Sequence, residues 1–367
     1  MLLLDEIDLQ LVHLLQIAPR VSWRDAATIV PRSATALAAR WAKLADDGVV
    51  WLSATRDLAR ERRLGALVDI DVDLGRREAV ISRLLADPRV VGLNEGAVVG
   101  RLHVTLFADA EGELAAVLLD ELPQLPGVVQ ARARPLVRVH VEGGSWRLDA
   151  LDAAQRRDAA ALAGVLREPQ HAEVGGAQPT ESRGAQHTEG GGAQHAEVGG
   201  GRQASAGAER ESLRDRVLEQ LLADPRASAE EIARAIGAPA ATVRRHLRAV
   251  LSSGAVRIRC ESVLDGAGWP LERSWLLRVP ARRIPSLANE LAREREVRLC
   301  AELHDRANLA VTAVHRTRAA AAAFEARLLE LEPSAELVEV LTHLRTRKRM
   351  GRELDARGHA LAARAPE

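Results

Sequence analysis

The chain has 367 residues, enough for two or more domains rather than one core. Its 51 basic and 51 acidic side chains cancel, which excludes a polycation and leaves any nucleic-acid affinity to local clusters. Two cysteines without metal-ligand spacing, no apolar run near the ~18 residues of a membrane helix, and an opening MLLLDEIDLQ without a basic-then-apolar pattern set the expectation of a cytoplasmic, non-membrane protein with buried, inert thiols.

Leu4, Ile7, Leu11, Leu14 and Leu15 recur at helical spacing and predict a first helix, ended by Pro19. Ser22, with Asp25 three residues on, caps a second. A third spans about 33–45 and stops at Gly48, before a short apolar strand. Val68, Ile70 and Val72 then alternate with Asp69, Asp71 and Asp73, the pattern of a half-buried strand. A helix over about 77–86, strands near 89–94 and 102–106, a helix over 111–121 and a strand through Val137, Val139 and Val141 complete a ferredoxin-like βαββαβ pattern. A connecting helix, Ala150–Val165, precedes low-complexity text in which HAEVGGAQ, HTEGGGAQ and HAEVGG recur at 171, 187 and 195. Such text buries too little apolar surface to offset its ordering entropy, and its histidines read as solvated linker rather than metal ligands.

The opening pattern then returns 206 positions later without a gap. Ile7 aligns with Leu213, Pro19-Arg20 with Pro225-Arg226, Ser22 with Ser228 and Gly48-Val49-Val50 with Gly254-Ala255-Val256. Ser228 and Glu231 form a capping box and Gly237 closes the second helix of this copy. The third runs over about 240–252. A second βαββαβ set follows: strand 274–279, helix 283–293, strands 296–302 and 308–314, helix 318–330, strand 335–342. The chain therefore reads as α+β: a helix-turn-helix at 1–52, a βαββαβ domain at 53–145, a connecting helix at 146–166, a flexible linker at 167–211, a second helix-turn-helix at 212–259, a second βαββαβ domain at 260–350 and a tail at 351–367, frayed beyond about Asp355.

Three helices with a basic third are the arrangement that places a recognition helix in the major groove. In the second copy Val243, Leu247 and Val250 face inward, leaving Thr242, Arg244, Arg245, His246 and Arg248 for DNA. In the first, Leu37, Trp41 and Leu44 face inward and Ser33, Thr35, Arg40 and Lys43 are available. Residues 212–259 carry nine Arg against five acids, whereas 1–52 carry five basic residues against six acids, so the second module is the stronger reader. Charge on any solvated helix is the plainer alternative.

LDEIDLQLVHLLQIAPRVSWRDAA and LRDRVLEQLLADPRASAEEIARAIGAPAATVRRHLRAVLSSGAV resemble the N-terminal helix-turn-helix of the Lrp/AsnC (feast/famine) regulators. The βαββαβ halves resemble that family's ligand-sensing RAM domain. The resemblance covers nearly everything except linker and tail, and the doubled layout with its LRTRKRMG run (344–351) is similar to the tandem members of actinobacteria. It implies a cytoplasmic, sequence-specific transcriptional regulator that binds double-stranded DNA, self-associates through its RAM domains and answers to a small effector such as an amino acid. A Gly-x-aromatic-Asp turn near the family's effector pocket corresponds to Gly100, Arg101, Leu102 and His103 here, and to Asp305, Arg306, Ala307 and Asn308 in the second half. His103 and Asn308 replace the acid, so an aminated ligand loses a carboxylate partner; plain β-turn roles stay open for these residues.

The resulting expectation is a regulator with no catalytic residues, no cofactor and no metal. A siroheme-decarboxylase-like enzyme on the same fold is the rival from another class. Against it, the segments 51–68 and 257–277 hold no histidine, leaving His103, His304 and His315 as candidates. A sensor that assembles without touching DNA is the third reading.

Overall fold

The computed structural model describes residues 4–56, 63–164 and 213–361; the repeats at 171, 187 and 195 lie outside them. In the first module α1 (Glu6–Ile17) carries an Asp5–Asp8 capping box, α2 (Trp23–Ala26) is a single turn capped by Ser22, and α3 (Ala34–Asp46) is capped by Ser33. The second module has α7 (213–223), α8 (Ala229–Ile236) with the Ser228–Glu231 capping box, and α9 (Ala240–Ser253). Gly237 and Gly254 end α8 and α9 in the left-handed conformation, which glycine enters without Cβ strain.

The strands that follow α3 and α9, β1 (Val50–Arg56) and β6 (Val256–Ser262), pair antiparallel with each other, Val50 opposite Ser262 and Arg56 opposite Val256. The two modules are also locked by a reciprocal contact. Arg20 donates to the carbonyls of Pro225 and Ala227, and Arg226 to those of Pro19 and Val21. Arg226 also lies 4.3 Å above the Trp23 ring. Arg20 and Arg226 are equivalent positions of the repeat, so the chain dimerises its own helix-turn-helix pair about an internal pseudo-twofold.

Each sensor half supplies four strands and two helices. The first contains β2 (Leu64–Val72), α4 (Arg77–Ala86), β3 (Val90–Gly96), β4 (Arg101–Ala108), α5 (111–124, π-helical over Ala116–Glu121) and β5 (Val128–Val141). A connecting helix, α6 (Ala153–Gly164), comes next in the chain. The second half has β7 (Leu271–Arg278), α10 (Ile284–Leu291), β8 (Val297–Leu303), β9 (Leu309–His315), α11 (Arg318–Leu331) and β10 (Glu336–Arg349). The helices cover the outer faces over two separate apolar cores, one around Ile70, Leu93 and Leu106, the other around Trp275, Phe324 and Val311.

The last strand of each half changes partner midway. β5 pairs with β2 up to Pro135 and with β8 from Leu136; β10 pairs with β7 up to His343 and with β3 from there on. The order β10-β3-β4-β2-β5-β8-β9-β7 thus closes on itself through β7–β10 into an eight-stranded antiparallel barrel. Closure covers the outer edges of β3 and β8, which pair with the far halves of β10 and β5.

Beyond β10, residues 350–361 fold back on the molecule, past the point about Asp355 where the sequence suggests fraying. Met350 and Gly351 turn it into β11 (Arg352–Glu353), Leu354 bridges to Ala360, and Ala360 N–H donates to the Gly48 carbonyl at 2.8 Å. His359 Nδ1 lies 3.0 Å from the Asp47 carbonyl. This strap ties the second sensor half to the end of α3. Among the described residues no helix is long and apolar enough to cross a membrane.

Candidate functional site

Successive residues of a strand point to opposite faces, so the same alternation that buries Val68, Ile70 and Val104 under helices aims Leu67, Asp69 and His103 into the barrel. An eight-stranded barrel has an interior just wide enough for side chains or one small ligand. Here Leu276, Leu303, Ala307 and Ala310 pack with Leu67, Leu136 and Leu341 as an apolar plug. Beside it lies a cavity of about 670 Å³, within the size range of small-molecule sites. Eight Arg or Lys side chains line it against three Asp or Glu, together with His103, His140 and His343. Basic side chains outnumber acidic ones along its wall, and several of them are paired with carboxylates.

A buried polar network crosses this lumen. Arg134, only 2% exposed, bonds Asp69 at 2.5 Å and Glu339 at 3.2 Å, and lies 3.1 Å from Asp305. Asp69 also holds His103 Nδ1 at 2.7 Å. Burial works to raise the Asp69 pKa, but the hydrogen bond from His103 and the Arg134 guanidinium keep the carboxyl below its ordinary range. Nδ1 being engaged, Nε2 is the other working atom of His103, and a Cβ at Gly96 would collide with it. The His103 and His343 rings meet edge to face at 5.2 Å. His343 Nε2 is 2.8 Å from Ser274 Oγ, which bonds Thr312 at 2.7 Å, while His343 Nδ1 has no hydrogen-bond partner among the described residues. Burial pushes the His343 pKa down to about 4. In the repeat, the cross-strand pair Asp69–His103 is matched by Leu276–Ala310. The Asp–His pair itself belongs to the first half of a pseudo-symmetric barrel.

At the lumen mouth, β6 contributes Arg257 and Arg259, which both bind Glu142, at 2.9 and 2.8 Å. Arg259 also donates to Thr55 Oγ1 of β1, and a side chain at Gly144 would strike its guanidinium. Arg298, buried over the Trp146 ring, pairs with buried Glu261 at 2.9 Å. A second cleft, about 1000 Å³, lies under the C-terminal strap and shares Glu272, His343, Thr346 and Arg349 with the lumen. Burial opposes ionisation of Glu272, yet Arg349, His343 and Arg298 hold it in the charged form.

The residues singled out from the sequence divide among three places. On α9, Arg244, Arg245 and Arg248 are exposed, with Arg244 paired to Glu230 at 2.5 Å; Thr242 and His246 are half-buried. On the first module Ser33, Thr35 and Lys43 are exposed. Arg40 is not outward: it is half-buried and held by Asp5 and Asp8 at 2.5 and 2.7 Å, because the N-terminal carboxylates of α1 reach it first. The turn residues are structural in part. Gly100 has φ +83°, Arg101 binds Asp71, Arg306 binds Glu336, and Asn308 caps the Val279 backbone through both its side-chain atoms. Asp305 joins Arg132 and Arg134, and His103 alone of the six reaches the lumen pair with Asp69.

Sequence reasoning misses Asp69, Arg134, His343 and the mouth arginines. Polar residues at alternate positions of an apolar strand read as solvent-facing, whereas the face they share is the barrel interior. A charged residue recurring within ARARPLVRVH of β5 is the available signal. Both cysteines are buried, and burial raises both thiol pKa values, Cys300 to about 12. Among the described residues no group of three or more His, Cys, Asp or Glu is placed to hold a metal.

Residues 4–45 match the AsnC-type helix-turn-helix domain and residues 213–257 the winged helix-turn-helix DNA-binding model. No curated protein sequence matches the chain. Among solved structures, it is similar to the siroheme decarboxylase NirDL (16% identity, TM-score 0.53) over 94% of this chain and 93% of that one. NirDL in complex with an iron-uroporphyrin III analogue matches at 17% identity and TM-score 0.54, again covering 94% and 93%. The regulator NMB0573 from Neisseria meningitidis, complexed with L-Met, is 19% identical over 37% of this chain and 90% of its own, with TM-score 0.34. The expectation of a non-enzymatic chain is corrected by the NirDL matches: an enzyme shares this fold over 94% of the chain. The sequence argument against it looks for histidine in the two segments leading into the sensor sheets, whereas the lumen draws its histidines from β4, β5 and β10.

Proposed function

We propose, for this tandem protein of the Lrp/AsnC type, that the barrel lumen binds a carboxylate-rich tetrapyrrole such as siroheme and releases carboxylate from it as CO2. The observation that carries this reading is the Asp69-positioned His103 inside a lumen dominated by arginine. Guanidinium groups match carboxylates in geometry and stay charged at any working pH. Arg138, Arg257, Arg259 and Arg298 line the mouth and would orient the peripheral carboxylates, while the plug of Leu276 and Leu303 takes the apolar face of a macrocycle. In the reaction the bond between a side-chain carbon and its carboxylate breaks and CO2 departs. The electron pair stays on the carbon, and a proton from His103 takes the vacated position. Ionised Asp69 stabilises the imidazolium that delivers this proton, and solvent restores it.

Incubation with siroheme, followed by mass spectrometry, tests the reading. The expected outcome is a product lacking CO2, and a rate at least about a hundredfold lower for His103→Asn, the usual scale of general acid catalysis. Recovery of unchanged siroheme, or equal turnover by the variant, contradicts it.

A second activity is favoured by a separate observation: Arg245 and Arg248 stand exposed on α9, without an acidic partner among the described residues. The helix-turn-helix pair then reads DNA, with the stronger contact from the second module. A lumen ligand would act as its effector, in place of the amino acid expected from the family.

A further inference from the structure

The mouth of the lumen is built partly from the ribbon that joins the two recognition helices. Arg257 and Arg259 lie on β6, three and five residues past Gly254, the residue that ends α9. β6 is paired along its whole length with β1, which begins two residues after Gly48 at the end of α3. Both guanidinium groups are occupied by one carboxylate, Glu142, which follows directly on β5 of the sensor barrel. Arg259 also donates to Thr55 on β1, so this arginine touches both strands of the ribbon and the barrel at once.

We propose that Glu142 is an internal competitor for the anion site: a ligand carboxylate entering the lumen is exchanged for it on Arg257 and Arg259, and the exchange is passed to the helix-turn-helix pair along the β1–β6 ribbon. This rests on the lumen being an anion site, as proposed above. The exchange conserves charge pairing, since one carboxylate leaves two arginines as another arrives. It frees Glu142, which is 29% exposed, to be hydrated at the mouth. The contact between barrel and ribbon is therefore made by a side chain in one state and by the ligand in the other. Such differential contact is what a ligand needs to shift an equilibrium between two arrangements.

The test uses the full chain and iron uroporphyrin III as probe, with affinity read from its visible absorbance. Glu142→Gln keeps shape and loses charge, and is expected to bind the probe about five- to tenfold more tightly than the wild type, with Glu142→Asp in between. In parallel, amide hydrogen exchange over residues 50–56 and 256–262 is expected to change on probe binding in the wild type. In Glu142→Gln those amides are expected to be altered already without probe. Equal or weaker probe binding by Glu142→Gln, or ribbon exchange indifferent to both probe and variant, overturns the competitor role while leaving the lumen site standing. No probe binding by the wild type removes the lumen site, and this inference with it.

Discussion

His13, His315 and His343 are each pushed down to a pKa of about 4 by burial. His13 shows what the neutral ring does: its Nδ1 accepts the backbone N–H groups of Ala150 and Leu151, docking the connecting segment on α1. His315 is 1% exposed between Trp275 and Phe324, with neither ring nitrogen hydrogen-bonded among the described residues. An unfolded histidine keeps its ordinary value of 6.5, so between that value and about 4 the unfolded chain binds more protons than the folded one. Stability is then fully present above the window and falls as pH drops through it. Denaturant midpoints should decline between pH 7 and 5, and His315→Phe should flatten the slope by about one proton's worth. Identical slopes for variant and wild type would place the acid sensitivity elsewhere. None of this is legible in the sequence, where a histidine in an apolar strand looks the same whether its nitrogens are bonded or bare.

At the scale of elements, periodicity carries far. The helix over 77–86 and the capping boxes depend on local spacing, and local spacing is what a sequence displays. The π-helical turn in α5 and the partner exchange within β5 and β10 are not legible, because they are settled by what the opposite half offers. The same limit explains Arg40, whose helical position predicts exposure while Asp5 and Asp8 lie 35 and 32 residues away in sequence. The asymmetry between α3 and α9 has a measurable consequence. Arg245→Ala with Arg248→Ala should weaken binding to duplex DNA and reduce the slope of log affinity against log salt by ~0.9 for each phosphate no longer neutralised. Lys43→Ala on α3 should do less. Affinity and slope unchanged in the double variant would remove α9 from the interface.

At the scale of the molecule, the two halves of the repeat pair with each other inside one chain. The reciprocal Arg20 and Arg226 contacts, the β1–β6 ribbon and the barrel all close between the two halves. The resemblance implies self-association through the RAM domains, and here the two sheets meet inside one polypeptide. One barrel per chain then means one lumen, with its Asp69–His103 pair on one side because Leu276 and Ala310 stand in those places on the other. An absorbance titration of the intact chain with iron uroporphyrin III reads this claim directly. One tetrapyrrole bound per chain is the predicted result, with affinity lowered about tenfold or more by Arg134→Met, which removes a buried cation from the lumen. Two equivalents per chain, no binding, or binding indifferent to Arg134→Met would contradict it.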